Sequence, residues 1–422
     1  MATKIAIPKE LSKQKLIEAY KLMYTSRLLD KKMMKLLRLG KSFFHIGCMG
    51  HEAVQVAMGF NLVKKRDFLL PYYRDQAVCL SMGQSAKDCL LSFLAKADDP
   101  NSGGRQMPQH YGHKEHNILT SSSSTGTQFL HSLGCAFASV RDFAIKANSN
   151  TKKDYEVTVV CCGDGTTSQG DFHEALNWAT REKAPVIFLV ENNGYAISVP
   201  LKDQRPEGKV STMAKGYGGL NLFEFDGCNF LQSYTELKKA VKLARDGKGP
   251  SLVDANVVRL MPHSSSDDDK KYRSKQELAK DLKRDPVILM SKFLLANKIV
   301  TKKALETIEK AVFDSVEAAA DEALAAPMPK KESATTHVFS SKSEPKLIEP
   351  KINSQGQDIV LVDAINRALQ EEMANNEKVL VFGEDVAGNK GGVFTATRGL
   401  TAKFGDNRCY NSPLAESSIV GV

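Results

Sequence analysis

A carboxylate and a carboxamide set the first expectation. Gly163-Asp164-Gly165 closes one apolar run and Asn192-Asn193-Gly194 closes the next, with Asp164 and Asn193 29 residues apart. A carboxylate oxygen and an amide oxygen are hard ligands, suited to Mg²⁺ held together with a ligand diphosphate. Gly163 and Gly165 would let the backbone approach a phosphate closely. Asp-Gly and Asn-Gly are also favoured in ordinary turns, which is the alternative reading. What favours chemistry is that each pair ends a predicted strand.

The elements that must position these residues follow from pattern. Val157–Cys161 (VTVVC) reads as a buried strand, 171–182 as a helix and Val186–Val190 (VIFLV) as a second strand, which together make a βαβ unit. A third apolar run, Ser251–Val258, supports a parallel sheet buried on both faces. Asp164 and Asn193 then lie at the C-terminal ends of parallel strands, where open α/β sheets bind ligands. The fold class expected is α/β, a parallel sheet flanked by helices.

Around this unit, residues 11–39 predict a long helix stopped at Gly40, 41–135 short helices and polar loops, and 274–325 further helices. Pro327, Pro329, Pro345 and Pro350 among Ser, Thr and Lys mark 326–357 as a linker. Beyond it, 358–375 reads as a helix, 379–382 as a strand and 383–385 as a turn. Domains usually need 100 or more residues. Only 65 residues (422 minus 357) follow the linker, so 358–422 is expected to be the truncated start of a second α/β domain.

Composition excludes more than it assigns. With 42% hydrophobic and 25% charged residues the chain is an ordinary globular one, neither collagenous nor disordered throughout. The net charge of +9 is diffuse and gives no reason to expect nucleic acid. No apolar run reaches the roughly 18 residues of a membrane span. The N-terminus lacks an apolar signal-peptide core and the arginines of a transit peptide, so a cytoplasmic location is expected. Eight scattered cysteines without a C-x-x-C pair suit a reducing compartment. His110, His113 and His116 recur every third residue, but Gly112 interrupts them and no zinc site is expected there. His51 and His131 are expected to be structural, and Asp267-Asp268-Asp269 a solvated loop face.

The segment GDGTTSQGDFHEALNWATREKAPVIFLVENNGYAIS resembles the α subunit of the thiamine-diphosphate-dependent 2-oxo acid dehydrogenases, the decarboxylating first components of the branched-chain and pyruvate complexes. The resemblance runs from about Leu16 to Ala325. After the linker, FGEDVAGNKGGVFTATRGLTAKFGDNRCYNSPLAESSIVG resembles the start of the β subunit of the same enzymes. The chain thus looks like an α–β fusion: residues 1–325 a diphosphate-binding domain with helical extensions, 358–422 the beginning of a pyrimidine-binding domain.

The resemblance implies roles residue by residue. Asp164, Asn193 and the Tyr195 carbonyl match Mg²⁺ ligands. Tyr73 and Arg74 match the pair that grips the diphosphate, and Arg259 a further phosphate contact. Ser123 and Thr125 match the segment beside the aminopyrimidine, where the family commonly has a proline-containing sequence instead. His110 and His263 match active-site histidines, Ser264 sits in a loop that is phosphorylated in mitochondrial relatives, and Glu416 matches the β-subunit glutamate that contacts the aminopyrimidine. That carboxyl would favour the imino tautomer, which takes the thiazolium proton, and a raised pKa suits the exchange. The activity implied is decarboxylation of a 2-oxo acid, with branched-chain acids favoured over pyruvate, and acyl transfer to the lipoyl group of a partner acyltransferase. The partners implied also include a β-type chain or further copies of this one. The alternatives are a pyruvate or acetoin dehydrogenase first component, a transketolase-like carboligase, and an inactive cofactor-binding fragment.

Overall fold

The computed structural model describes residues 7–147, 151–206, 209–339, 356 and 358–422. It divides into two compact units, 1–330 and 331–421.

The first unit is built on five parallel strands: β1 (Phe68–Leu70), β2 (Thr158–Gly163), β3 (Val186–Asn192), β6 (Asn221–Asp226) and β7 (Ser251–Asn256), in the order β1-β2-β3-β7-β6. A two-stranded antiparallel ribbon, β4 (Tyr195–Ala196) with β5 (Val199–Pro200), projects beyond the end of β3. The expected strands form where the apolar runs placed them. β1 and β6 were not anticipated. β1 is only three residues long. β6 lies at the sheet edge and buries only Phe225 fully, so it lacks the continuous apolar run of a central strand.

Register explains why the two motifs meet. Thr158 pairs with Val186 and Gly163 with Glu191, an offset of 28 (186 minus 158). Continued by one residue, it sets Asp164 opposite Asn192, with Asn193 the next residue of the chain. The helix Gly170–Glu182 crosses between β2 and β3. It buries Phe172, Ala175, Leu176, Trp178 and Ala179, a stripe at helical spacing. Trp178 meets Phe137 edge-on at 5.3 Å between ring centroids.

The long N-terminal helix runs Lys13–Arg38, capped by the Ser12 hydroxyl, which accepts from the Lys15 amide. It packs on the helices Glu52–Asn61, Gln76–Met82 and Lys302–Ala325. A buried ion triplet joins these layers. Arg27 donates from Nε to Glu52 at 2.7 Å and through both terminal nitrogens to Asp285 at 2.7 and 2.9 Å. The region 274–325 forms three helices, Lys275–Leu282, Pro286–Ala296 and Lys302–Ala325. Of the expected linker, residues 340–355 and 357 lie outside the described residues. Its first residues are held in place: Lys96 donates to the carbonyls of Leu324 and Ala326, and the Ala97 amide to Pro327.

The second unit holds the helix Leu361–Asn375, strand β8 (Val381–Gly383), the short helix Leu400–Phe404, strand β9 (Cys409–Asn411) and the helix Glu416–Gly421. β8 and β9 pair in parallel. Its buried core is Met373, Leu400 and Cys409. Leu361, Val393, Phe394, Leu414 and Val420 are exposed. Among the described residues no helix is long and apolar enough to cross a membrane.

Candidate active site

Asp164 leaves β2 and enters a tight turn, 164–168. A side chain at Gly165 would place Cβ 2.6 Å from Ala196 Cβ, so glycine is required for the β4–β5 ribbon to pack on this turn. Gly194 turns the chain after Asn193 at φ +83°, a conformation that favours glycine. The Asp164 side chain is fully buried. Its Oδ2 accepts from Gln204 at 3.1 Å, while Oδ1 has no hydrogen-bond partner among the described residues. Burial raises its pKa, and hydrogen bonds from Gln204 and from backbone amides oppose the rise. A buried carboxylate oxygen without a donor is costly, and such exceptions call for an explanation.

One cavity of about 290 Å³ opens above this turn. Tyr73, Arg74, Ser123, Thr125, Gly163, Gly165, Asn193, Tyr195 and His263 line it, all of them expected from sequence, together with Tyr72, Thr166, Ala196 and Ile197. Arg259 is buried and stacks on Tyr195, with its guanidinium carbon 5.5 Å from the ring centroid. Arg74 donates to the Gly47 carbonyl at 2.6 Å and, through its other terminal nitrogen, to the His263 carbonyl at 2.9 Å and His263 Nδ1 at 3.0 Å. Three of the five N–H groups of a guanidinium are thereby used, and two remain.

His110 lies behind the cavity wall. Its Nδ1 is 3.1 Å from the carbonyls of Met107 and Pro108, which can only accept, so Nδ1 carries the proton. Its Nε2 therefore accepts from the Ser123 hydroxyl at 2.5 Å. His113 and His116 stand near each other on a loop and a short 3₁₀ turn. Among the described residues neither belongs to any cluster of three or more metal-ligating side chains.

The electrostatics of the cavity are cationic. Burial lowers the Arg259 pKa, and repulsion from Arg74 adds to it. Burial and then the charges of Arg74 and Arg259 push His263 down to about 4, so its imidazole is neutral at pH 7. Two guanidiniums beside a cavity whose lining holds no carboxylate suit an anion. An anion in the cavity offsets their field and stabilises the imidazolium, so the sign of its effect on His263 is upward. Inorganic pyrophosphate should therefore raise the His263 midpoint above about 4, read from its Cε1–H resonance in an NMR titration. A midpoint that stays put or falls on adding pyrophosphate contradicts an anion beside Arg74 and Arg259.

The loop that carries His263 is fixed by Tyr272, which sequence reading missed, and by Asp267, which it read as solvated. Arg259 donates to the Tyr272 hydroxyl at 2.7 Å, and Tyr272 donates to Asp267 at 2.5 Å. Asp267 also accepts from the His263 amide at 2.8 Å. Burial alone would raise the Asp267 pKa, but these hydrogen bonds hold it below its ordinary value. Asp269 is buried against Arg273, at 3.4 Å. The acidic run is thus only in part the solvated face expected of it: Asp268 is exposed. Asp267 and Asp269 turn inward, because the Tyr272 hydroxyl, the His263 amide and the Arg273 guanidinium need acceptors there.

Under the cavity lies a polar layer. His51 Nδ1 is 2.6 Å from Glu191 Oε2, both side chains being fully buried. Burial drives His51 down to about 3. Burial raises both Asp75 and Glu191; repulsion from Glu191 adds to the rise at Asp75, whereas hydrogen bonds from Asp75, Gln55 and Tyr72 restrain it at Glu191. Glu191 had one signal in the sequence, a charged residue at the end of the apolar run VIFLV. Gln55 had none. Glu416, in the second unit, opens its helix with an exposed side chain.

The residues fit a metal and a diphosphate: the orphaned Asp164 Oδ1 is a buried hard donor next to Asn193 in chain register, and the cavity wall is cationic. Comparison with known proteins gives the family. The family described as Dehydrogenase E1 component matches residues 20–332, and the transketolase pyrimidine binding domain matches residues 357–422. The chain is 41% identical over 332 residues to a 2-oxoisovalerate dehydrogenase subunit alpha of Bacillus subtilis, covering 78% of this chain and 97% of that one. It is 33% identical to a 3-methyl-2-oxobutanoate dehydrogenase subunit alpha of Mycobacterium tuberculosis, over 66% of this chain and 70% of the other. It is 32% identical to a pyruvate dehydrogenase E1 component subunit alpha of Mycoplasma genitalium, over 73% and 80% respectively. With three-quarters of its length matched by one family and residues 357–422 by a pyrimidine-binding domain, the chain belongs to the dehydrogenase E1 component family of thiamine-diphosphate-dependent 2-oxo acid dehydrogenases.

Proposed function

We propose that this protein decarboxylates branched-chain 2-oxo acids, with 3-methyl-2-oxobutanoate the preferred substrate class, and passes the acyl group to the lipoyl group of a partner acyltransferase. The observation that carries the site assignment is the buried Asp164 Oδ1 that lacks a donor, beside a cavity lined by Tyr73, Arg74 and His263. The substrate assignment rests on the 41% identical relative and its 2-oxoisovalerate name.

Asp164 and Asn193, with the Tyr195 carbonyl, would hold Mg²⁺. Arg74 and Arg259 supply the positive field for the diphosphate. Thiamine diphosphate, when bound, supplies the carbon nucleophile and the electron sink for decarboxylation. The chain's own residues do the rest. His263 is neutral at pH 7, so its free Nε2 is available to exchange a proton with a reacting oxygen or carbon. The Arg74 contact to Nδ1 fixes the ring's orientation. His110, as the Nδ1–H tautomer, holds the Ser123 hydroxyl, and with it the 121–125 segment, in place. Glu416 would present its carboxyl to the aminopyrimidine ring in an assembly with a β-type chain or further copies of this chain. The buried free thiols suit a reducing, cytoplasmic setting.

The test is turnover with an artificial electron acceptor, with and without thiamine diphosphate and Mg²⁺, on 3-methyl-2-oxobutanoate and on pyruvate. The expected result is cofactor-dependent turnover with kcat/KM at least about tenfold higher for the branched acid, the scale of discrimination that one or two methylenes allow. A preference for pyruvate overturns the substrate assignment, and turnover without the cofactor overturns the mechanism.

A further inference from the structure

The diphosphate grip and the metal loop belong to different elements. Tyr73 and Arg74 ride on the turn that enters the helix Gln76–Met82, whereas Asn193 follows β3. One fully buried side chain, Gln55 on the helix Glu52–Asn61, bonds to both. Its Nε2 donates to the Arg74 carbonyl at 2.9 Å and to Glu191 Oε2 at 2.8 Å, and lies 3.3 Å from Asp75 Oδ1. Its Oε1 accepts from the Ala77 amide at 3.0 Å. Asp75 in turn closes the turn by accepting from the Tyr72 amide at 2.7 Å.

From this geometry we propose that Gln55 is a positioning residue that locks the diphosphate-gripping turn to the metal loop, so that the two halves of the cofactor site keep one spacing. It touches neither cofactor nor substrate and acts through Arg74 and through Glu191, two residues before Asn193. A neutral amide is what the position needs. It donates to a carbonyl and a carboxylate and accepts from an amide in one buried place, which neither a carboxylate nor an ammonium could do. The same donors exclude a rival reading. Asp75, Cys161 and Glu191 bring ligand atoms within 4.8 Å of one another, as a metal cage would. Gln55 Nε2 already donates to Glu191 Oε2 and lies 3.3 Å from Asp75 Oδ1, and a cation there would face that donor group.

The proposal rests on the thiamine-diphosphate reading, and its test separates the two. Mg²⁺ and thiamine diphosphate are titrated calorimetrically into the full chain, comparing wild type, Gln55→Met and Val56→Ala. Val56 is the buried neighbour on the same helix and makes no side-chain hydrogen bond, so its truncation loosens the same core without touching the lock. Gln55→Met should raise the Kd roughly ten- to hundredfold, the usual effect of losing an outer support of a metal site, with Val56→Ala within about twofold of wild type. A Gln55→Met Kd within about twofold of wild type, or an equal rise in both variants, overturns the proposal. Amide hydrogen exchange on the cofactor-free chain gives a second readout. Gln55→Met should speed exchange at both 72–77 and 191–194, and Val56→Ala should not. Faster exchange at only one of the two segments also overturns the proposal. A wild type that does not bind thiamine diphosphate would sink the functional reading, while the exchange data still decide the lock. Should Gln55→Met not fold, Gln55→Glu keeps the length and the Ala77 contact, loses the donors, and is read against the same criteria.

Discussion

Asp164→Ala should lower cofactor-dependent turnover by about 10²- to 10³-fold, the scale on which a single preorganised electrostatic contact acts in a water-excluded site. The argument starts from burial. Asp164 is fully buried, one oxygen is satisfied by Gln204, and the other has no donor among the described residues. The chain gains nothing in stability from that second oxygen, because burying it unpaired is unfavourable. Losing the carboxylate should therefore leave the unfolding midpoint unchanged or raise it, while turnover collapses. That opposite movement distinguishes a ligand from a structural aspartate. Asp164→Asn is the finer variant. It keeps an oxygen at the same reach but loses the charge, so higher Mg²⁺ should recover part of its activity and none of that of Asp164→Ala. Parallel thermal melts and Mg²⁺ titrations of turnover check both. A destabilised Asp164→Ala with near-normal turnover contradicts the ligand assignment.

The centre of the site was readable in the sequence because its geometry is local in register. Two apolar runs and the helix between them fix a strand offset of 28, and a motif spacing of 29 then has one spatial meaning. Tyr73, Arg74 and His263 became visible only through resemblance, since the loops that carry them have no periodicity. Gln55, Tyr272 and Arg27 were not legible at all. Gln55 and Arg27 act through partners far along the chain, such as Gln55 with Glu191, 136 residues away, which no local pattern encodes, and Tyr272 bonds Asp267, 5 residues away, within a loop that has no periodicity. β1 and β6 escaped for a different reason: one is too short for a pattern and the other is half-exposed at an edge. Asp267 was misjudged because charge density predicts solvation only where no buried amide or hydroxyl needs an acceptor.

Arg27→Leu should cost about 3–5 kcal/mol of stability, the range for removing one partner from a buried ion cluster. Arg27 is the only cation of its triplet and bonds both carboxylates, with side-chain exposures of 9% for Arg27, 0% for Glu52 and 6% for Asp285. Both acids have second duties. Glu52 Oε2 accepts from the Gly50 amide at 2.7 Å. Asp285 caps the helix Pro286–Ala296 through the Val287 amide at 2.9 Å. Without Arg27, each is a buried charge with backbone donors alone. Burial already raises the Glu52 pKa, and Arg27 is what restrains it. In the variant that restraint is gone and the folded-state pKa rises further above the unfolded value. A raised carboxylate destabilises the fold above its unfolded pKa and ceases to do so once it is protonated. The stability gap between wild type and Arg27→Leu should therefore narrow from pH 7 to pH 5, as Glu52 in the variant takes up a proton. Urea unfolding at the two pH values reads this directly. A gap below about 1 kcal/mol, as for an exposed pair, or one that widens with acid, would show that the triplet does not hold these helices together.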